Sequence, residues 1–331
     1  MKTPVLDVQG LRTSFFTEGE EIPAVDHVNF HINEGEILGI VGESGCGKSV
    51  TSLSIMGLVP KPPGKVVGGK ILFNGEDLRL ATEKRMREIR GNEIAMIFQE
   101  PMTSLNPLFS IGNQLIEAIK IHNKSWSKKQ AWARAIEILK LVGLPRAEEL
   151  IDEYPHQLSG GMRQRVMIAM AMVCNPKVLI ADEPTTALDV TIQAQILGLM
   201  KKLNTDYNTA IMLITHDLGV VAEVCQRVVV MYSGKVVEEG DVHTIFKDPK
   251  HPYTIGLIKS IPDMREKQDR LYSIPGNVPK PGSIKQGCRF AARCEHAFER
   301  CRLETPELYE VGTGHKVRCF LHGEQGGLKD D

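Results

Sequence analysis

The sequence predicts an α/β fold carrying a small cysteine-rich appendage, and three observations predict it. Compact apolar runs of strand length alternate with stretches of helical spacing, one run leads straight into a glycine-rich loop, and four of the seven cysteines crowd toward the C-terminus. At 331 residues the chain exceeds the commonest domain size, so one large domain plus an extension is expected. With 42% hydrophobic and 24% charged residues it has ample material for a core and too little charge for a disordered chain.

The elements follow in order. Val5 to Val8, Val28 to Ile32 and Ile37 to Val41 are short apolar stretches separated by turn residues and read as strands. Ser52 to Leu58 reads as a helix after the glycine-rich loop. From Pro101 to Leu144 the spacing turns helical, with Leu115, Ile116 and Ile119, then Trp132, Ala135, Ile136 and Leu139, set among polar residues. This predicts a helical insertion over about residues 101–170. Lys177 to Ala181 and Ala210 to Thr215 are compact apolar runs of the kind found in buried parallel strands. Val228 to Tyr232 and Lys235 to Glu239, joined through Ser233 and Gly234, predict a hairpin. From Pro262 onward proline and glycine mark a boundary before the cysteines.

Formal net charge is -1, which lacks the positive excess that drives phosphate-backbone binding, so nucleic acid is not an expected partner. The start, MKTPVLDVQG, has no apolar run behind a basic end, and no segment approaches the roughly 20 apolar residues of a membrane span. A cytosolic protein that meets a membrane only through partners is expected.

Gly42-Glu43-Ser44-Gly45-Cys46-Gly47-Lys48-Ser49 fits G-x-x-x-x-G-K-[ST], follows a predicted strand and precedes a predicted helix. In that context it is a phosphate loop. Glycines let backbone N–H groups turn inward around an anion, Lys48 reaches the β and γ phosphates, and Ser49 ligates Mg²⁺. Downstream, the apolar strand Lys177 to Ala181 delivers Asp182 and Glu183 to its C-terminal edge. Successive strand side chains point oppositely, so Asp182 can face Mg²⁺ while Glu183 orients and deprotonates an attacking water. A strand ending in Asp-Glu is ordinarily a solvated strand end; the phosphate loop upstream changes its meaning.

Leu158-Ser159-Gly160-Gly161-Met162-Arg163-Gln164 precedes a predicted helix from Met162 to Val173, and alone would be a common Ser-Gly helix cap. Here it resembles LSGGQ, the signature of ATP-binding cassette (ABC) ATPases, with Met162 where glutamine is usual. Gln99, in Ile97-Phe98-Gln99-Glu100-Pro101, resembles the family's Q-loop glutamine. Ala187-Leu188-Asp189 resembles the D-loop, and His216 the switch histidine. The resemblance covers about residues 4 to 250.

The resemblance implies a P-loop NTPase core with an antiparallel β subdomain and a helical insertion over residues 1–250, followed by a cysteine-rich extension over 251–331. It implies Glu183 and His216 as catalytic residues. ATP would be held by Gly42, Ser44, Gly45, Cys46, Gly47, Lys48, Ser49 and Val50, with Phe15 or Phe16 stacked on adenine. Mg²⁺ would lie on Ser49, Gln99 and Asp182. Ser159, Gly160 and Gly161 would contact the nucleotide held by a partner's loop, Asp189 would link the two sites, and a single signature copy implies a dimer. Family habit implies a closely related second ATPase as that partner, two permease subunits, and an extracytoplasmic binding protein reached indirectly, with the chain peripheral on the cytoplasmic face of the membrane.

His251-Pro252-Tyr253-Thr254, Ile274-Pro275-Gly276, Gly287-Cys288-Arg289-Phe290-Ala291-Ala292-Arg293-Cys294 and Val317-Arg318-Cys319 resemble the C-terminal extension of dipeptide and oligopeptide importer ATPases. Pro101-Met102-Thr103-Ser104-Leu105-Asn106-Pro107 points the same way. Importers of nickel and other small solutes share much of this pattern. Cys288, Cys294, Cys301 and Cys319 form Cys-x5-Cys-x6-Cys-x17-Cys, without the tight Cys-x2-Cys of most zinc ribbons. The resemblance implies a [4Fe-4S] cluster; the spacing leaves Zn²⁺ open, and free thiols remain a third reading.

Cys46, beside Lys48 at a helix N-terminus, is expected to have a lowered thiol pKa and to be attacked by thiol reagents. Cys174 and Cys225 have apolar neighbours and read as core. From other classes, a soluble ABC ATPase acting on nucleic acid would be expected to carry two cassettes, a coiled coil or basic arms, and a regulatory ATP-binding protein would not need both Glu183 and His216.

Overall fold

The computed structural model describes residues 4–99, 105–186, 188–261 and 272–323. Glu100 to Ser104, Ala187 and the expected boundary at Pro262 lie outside the described residues. The strands are β1 (Leu6–Thr17), β2 (Glu20–Ile32), β3 (Ile37–Val41), β4 (Gly64–Phe73), β5 (Glu76–Asp77), β6 (Ile94–Ile97), β7 (Val178–Asp182), β8 (Ala210–Ile214), β9 (Arg227–Tyr232), β10 (Lys235–Asp241), β11 (Tyr309–Gly312) and β12 (His315–Val317). The helices are α1 (Lys48–Ile55), α2 (Glu83–Ile89), α3 (Ile111–His122), α4 (Lys128–Leu141), α5 (Ala147–Leu150), α6 (Gly160–Met172), α7 (Val190–Tyr207), α8 (Leu218–Val224), α9 (Val242–Lys247), α10 (Pro252–Lys259) and α11 (Glu299–Leu303).

The chain divides into two compact units, one of residues 1–6, 32–36 and 80–214, the other of 7–31, 37–79 and 215–331. In the first, β6, β7 and β8 run parallel, with Ile94 opposite Val178 and Val178 opposite Ala210. Every residue of β7 and β8 is buried, which is why these strands read as unbroken apolar runs. The predicted insertion is the α3, α4 and α6 group, packed on one another. Its helices start where serines cap them: Ser110 accepts from the Asn113 N–H, Ser127 forms a reciprocal capping box with Gln130, and Ser159 accepts from the Met162 N–H.

In the second unit β3 runs parallel to β9, which pairs antiparallel with β10 through a bulge at Val236/Glu238. β12 then pairs antiparallel with β10, and β11 with β12. The cysteine-rich extension is thus joined to the sheet by main-chain hydrogen bonds. A separate four-stranded sheet has the order β2-β1-β4-β5.

Two local expectations are corrected. Strand β1 runs on to Thr17, well past Val8, because Thr13 and Ser14 are buried and satisfied: Thr13 Oγ1 is 2.7 Å from Ser54 Oγ. The helix after the glycine-rich loop begins at Lys48, with no intervening turn, because Gly47 adopts φ 102° and caps it directly.

Candidate functional site

The phosphate loop lies in the second unit, between β3 and α1. Two of its glycines are forced by sterics. A Cβ on Gly42 would stand 2.2 Å from the Met231 carbonyl oxygen, and one on Gly47 would stand 2.5 Å from that of Ala24. Gly45 meets nothing, yet its φ of +78° still favours glycine. The loop is closed by the Cys46 N–H donating to the Glu43 carbonyl and by Gly234 donating to Cys46. Lys48 is buried, and its ammonium donates to the carbonyls of Gly42 at 2.7 Å and Glu43 at 3.1 Å. A cradle that a Cβ would fill, with a cation directed into it, fits a nucleotide phosphate. Ser44 and Gly45 are exposed, while Ser49 and Val50 are half-buried on the first turn of α1.

Cys46 departs from expectation. It is 0% exposed, and burial pushes its thiol above the ordinary value, outweighing the nearby Lys48 ammonium. That ammonium is committed to two carbonyls and lies 3.7 Å from the sulfur. Helix position and a neighbouring lysine favour a thiolate, but at this buried sulfur desolvation outweighs the Lys48 contact.

Of the two candidate adenine aromatics, Phe15 is half-buried with its ring 3.0 Å from where a Gly64 Cβ would sit, whereas Phe16 is 46% exposed. His216 is exposed just after Thr215, whose hydroxyl accepts from the Asp217 N–H at 3.0 Å. Asp217 in turn caps α8.

In the first unit Gln99, Asp182 and Glu183 lie at or just beyond the C-terminal ends of β6 and β7. Asp182 is the buried last residue of β7, and Glu183 follows with φ 50°, a left-handed conformation rare outside glycine and concentrated at functional sites. The Glu183 carboxylate accepts from Gln99 Nε2 at 3.1 Å and Thr186 Oγ1 at 3.0 Å, while its N–H donates to the Ile214 carbonyl. Gln164, buried on α6, donates to the Pro184 carbonyl, tying the signature helix to the turn after Glu183. Thr186 and Gln164 were invisible to sequence reasoning. Thr186 lies one turn beyond Glu183, a spacing that could have flagged it; Gln164 looks like any polar helix residue.

Ser159 is the N-cap of α6, and Asp189 caps α7 by accepting from the Ile192 N–H at 2.9 Å. A Cβ on Gly161 would crowd Ile192 at 3.1 Å, but one on Gly160 would meet nothing. Packing among the described residues gives Gly160 no reason to be glycine.

In the extension Cys288, Cys294, Cys301 and Cys319 line one cavity, together with Phe290, Phe320 and His251. All four are free thiols. Burial, reinforced by the neighbouring thiols, pushes Cys288 up to about 11 and Cys319 up to about 12. His251 is fully buried and held neutral, down to about 3, its Nδ1 accepting from the Tyr253 N–H. Among the described residues, no group of three or more His, Cys, Asp or Glu side chains is placed to hold a metal ion.

A glycine-lined anion loop opening a helix, and a capped Ser-Gly-Gly helix followed by a paired-carboxylate strand end, define an ATPase cassette. A family model described as ABC transporter matches residues 25–186, and another, oligopeptide/dipeptide transporter C-terminal region, matches 237–301. The chain is 56% identical over 97% of its length, and 98% of the relative's, to the oligopeptide transport ATP-binding protein AppD of Bacillus subtilis. It is 50% identical to the dipeptide transport ATP-binding protein DppD of Escherichia coli, over 98% of each chain. A dimeric structure of MJ0796, a bacterial ABC transporter cassette, matches with TM-score 0.64 and 30% identity, covering 72% of this chain and 98% of that one. The same cassette has been solved as a dimer bound to ADP and Pi, at TM-score 0.64 and 29% identity over the same shares. The chain belongs to the ABC transporter family and is an ATP-hydrolysing transporter subunit.

Proposed function

We propose that this chain powers uptake of dipeptides or oligopeptides through a membrane permease, hydrolysing ATP as one half of an ATPase dimer. The observation that carries the peptide reading is the near full-length similarity to AppD, reinforced by the family match of the extension. The chain would sit on the cytoplasmic face of the membrane beneath two permease subunits, with an extracytoplasmic peptide-binding protein beyond them. Among the described residues no helix is long and apolar enough to cross a membrane.

In this reading Gly42 to Val50 cradle the phosphates, Lys48 bridges the β and γ groups, and Phe15 stacks on adenine. Ser49, Gln99 and Asp182 would hold Mg²⁺, which when bound neutralises charge between the β and γ phosphates. Glu183 takes the proton of the attacking water, and its hydrogen bonds from Gln99 and Thr186 orient the carboxylate. His216 holds the γ-phosphate. Ser159, Gly160 and Gly161 serve the nucleotide on a partner cassette, and the open side of Gly160 favours that assignment. Asp189 links the two sites, and a related but different ATPase is the expected partner.

We further assign the four cysteines to a [4Fe-4S] cluster, with Zn²⁺ as the alternative. The support is the resemblance of the extension to that of peptide-importer ATPases, together with the four thiols lining one cavity. Iron and sulfide analysis of anaerobically purified protein and of Cys288→Ser separates the two metals.

The transport reading is tested in proteoliposomes carrying the complete complex and its binding protein. ATP-driven accumulation of a labelled peptide, lost with Glu183→Gln, is expected. Accumulation of nickel but not peptide would move the chain to the small-solute branch.

A further inference from the structure

Glu43 occupies a position that the phosphate-loop motif leaves open, yet the fold holds all of its polar groups. Its N–H donates to Tyr253 Oη at 2.8 Å. Its carboxylate takes a two-pronged contact from Arg293, Nη1 to Oε2 at 2.7 Å and Nη2 to Oε1 at 3.1 Å. Its carbonyl accepts the Lys48 ammonium and the Cys46 N–H. The first two partners come from the extension, and the last two are the phosphate lysine and the loop backbone. Glu43 is therefore the point at which the extension reaches the nucleotide cradle.

Arg293 is built for this task. Its side chain is 5% exposed. Nε donates to the Pro275 carbonyl at 2.9 Å and Nη2 to that of Ile274 at 3.2 Å, while the guanidinium lies 5.8 Å from the Tyr232 ring centroid. A planar fork with both edges occupied fixes a carboxylate in direction as well as distance, which a lysine ammonium would not. Arg293 also directly precedes Cys294, so the cysteine cavity and the phosphate loop share one short segment.

We propose that Arg293 is a positioning residue for the phosphate loop, acting through Glu43 so that the cysteine-rich extension helps set the affinity for ATP. The proposal rests on the ATP-binding reading of Gly42 to Ser49. Arg293 touches no reacting atom. Its loss should loosen the loop and weaken ground-state binding while leaving the chemical step intact at saturation.

The test uses the assembled complex with Arg293→Gln, Glu43→Gln and the double variant. It measures binding of a fluorescent ADP analogue, KM and kcat for ATP, and hydrogen exchange over the loop. Each single variant should raise Kd and KM about three- to tenfold with kcat largely kept, speed exchange over Gly42 to Ser49, and combine non-additively. Unchanged Kd and KM in Glu43→Gln, which leaves the extension intact, would overturn the proposal, as would additive effects in the double variant. A merely structural Arg293 would lower the melting temperature and active fraction without moving KM. Failure of the wild type to bind the analogue, like a Lys48→Ala control, would instead strike at the ATP-binding reading.

Discussion

Gln99 Nε2 donates to Glu183 Oε2 at 3.1 Å, joining residues 84 positions apart at the ends of the adjacent parallel strands β6 and β7. The contact orients the carboxylate proposed to activate water and ties it to the segment that leads into the helical insertion. Gln99→Ala is expected to lower kcat by about tenfold, less than the 10²–10⁴ expected for removing a general base. Steady-state phosphate release at saturating ATP measures the difference; equal losses in Gln99→Ala and Glu183→Gln would put Gln99 in the chemistry itself.

The loop glycines should rank by what a methyl group meets. Gly42→Ala drives a Cβ to 2.2 Å from the Met231 carbonyl and should abolish nucleotide binding while destabilising the protein by roughly 1–3 kcal/mol. Gly45→Ala meets no atom within 4 Å and bears only the backbone conformation, so it should be milder, about 1 kcal/mol. Thermal melts with and without ADP give the order, and a more harmful Gly45→Ala would contradict it.

Cys46 should be sluggish toward thiol reagents in the folded protein, because its thiol is raised and fully buried. Mass-spectrometric mapping after brief maleimide treatment should find Cys46 labelled only once denaturant is added. Fast labelling of the native protein, blocked by ATP, would restore the reactive-cysteine expectation.

Asp26 predicts a pH dependence. Burial alone would push its carboxyl up, but His27, Lys235 at 2.9 Å and Arg289 at 3.0 Å outweigh burial and hold it well below the usual carboxylate range. A depressed folded-state pKa contributes stability that is complete above the unfolded value near 3.8 and is lost as pH falls below it. Asp26→Asn should therefore melt earlier at pH 7, by roughly 1–3 kcal/mol, and show a shallower loss below pH 4. Parallel curves for variant and wild type in acid would show that Asp26 contributes nothing to the slope.

Much of this was legible in the sequence where local chemistry decides the outcome. The run Ile37 to Val41 before Gly42, the strand feeding Asp182 and Glu183, and the Ser159 cap of α6 each follow from short-range rules. Long-range pairing was not legible. Nothing near Arg293 announces Glu43 as its partner, and nothing in Glu238 or Glu239 predicts that β10 pairs with β12. Thr13 and Ser14 hid the length of β1 because their burial depends on Ser54 and its neighbours, and Cys46 was misread because local charge is visible in sequence whereas desolvation is not.

The most direct test of the central claim is to measure ATP binding and phosphate release side by side in the assembled complex, for the wild type and for Glu183→Gln. The variant should bind ATP as tightly as the wild type and accumulate it unhydrolysed, with turnover reduced by about 10²–10⁴. Turnover retained in the variant would remove Glu183 from the chemistry and contradict the mechanism proposed for this site.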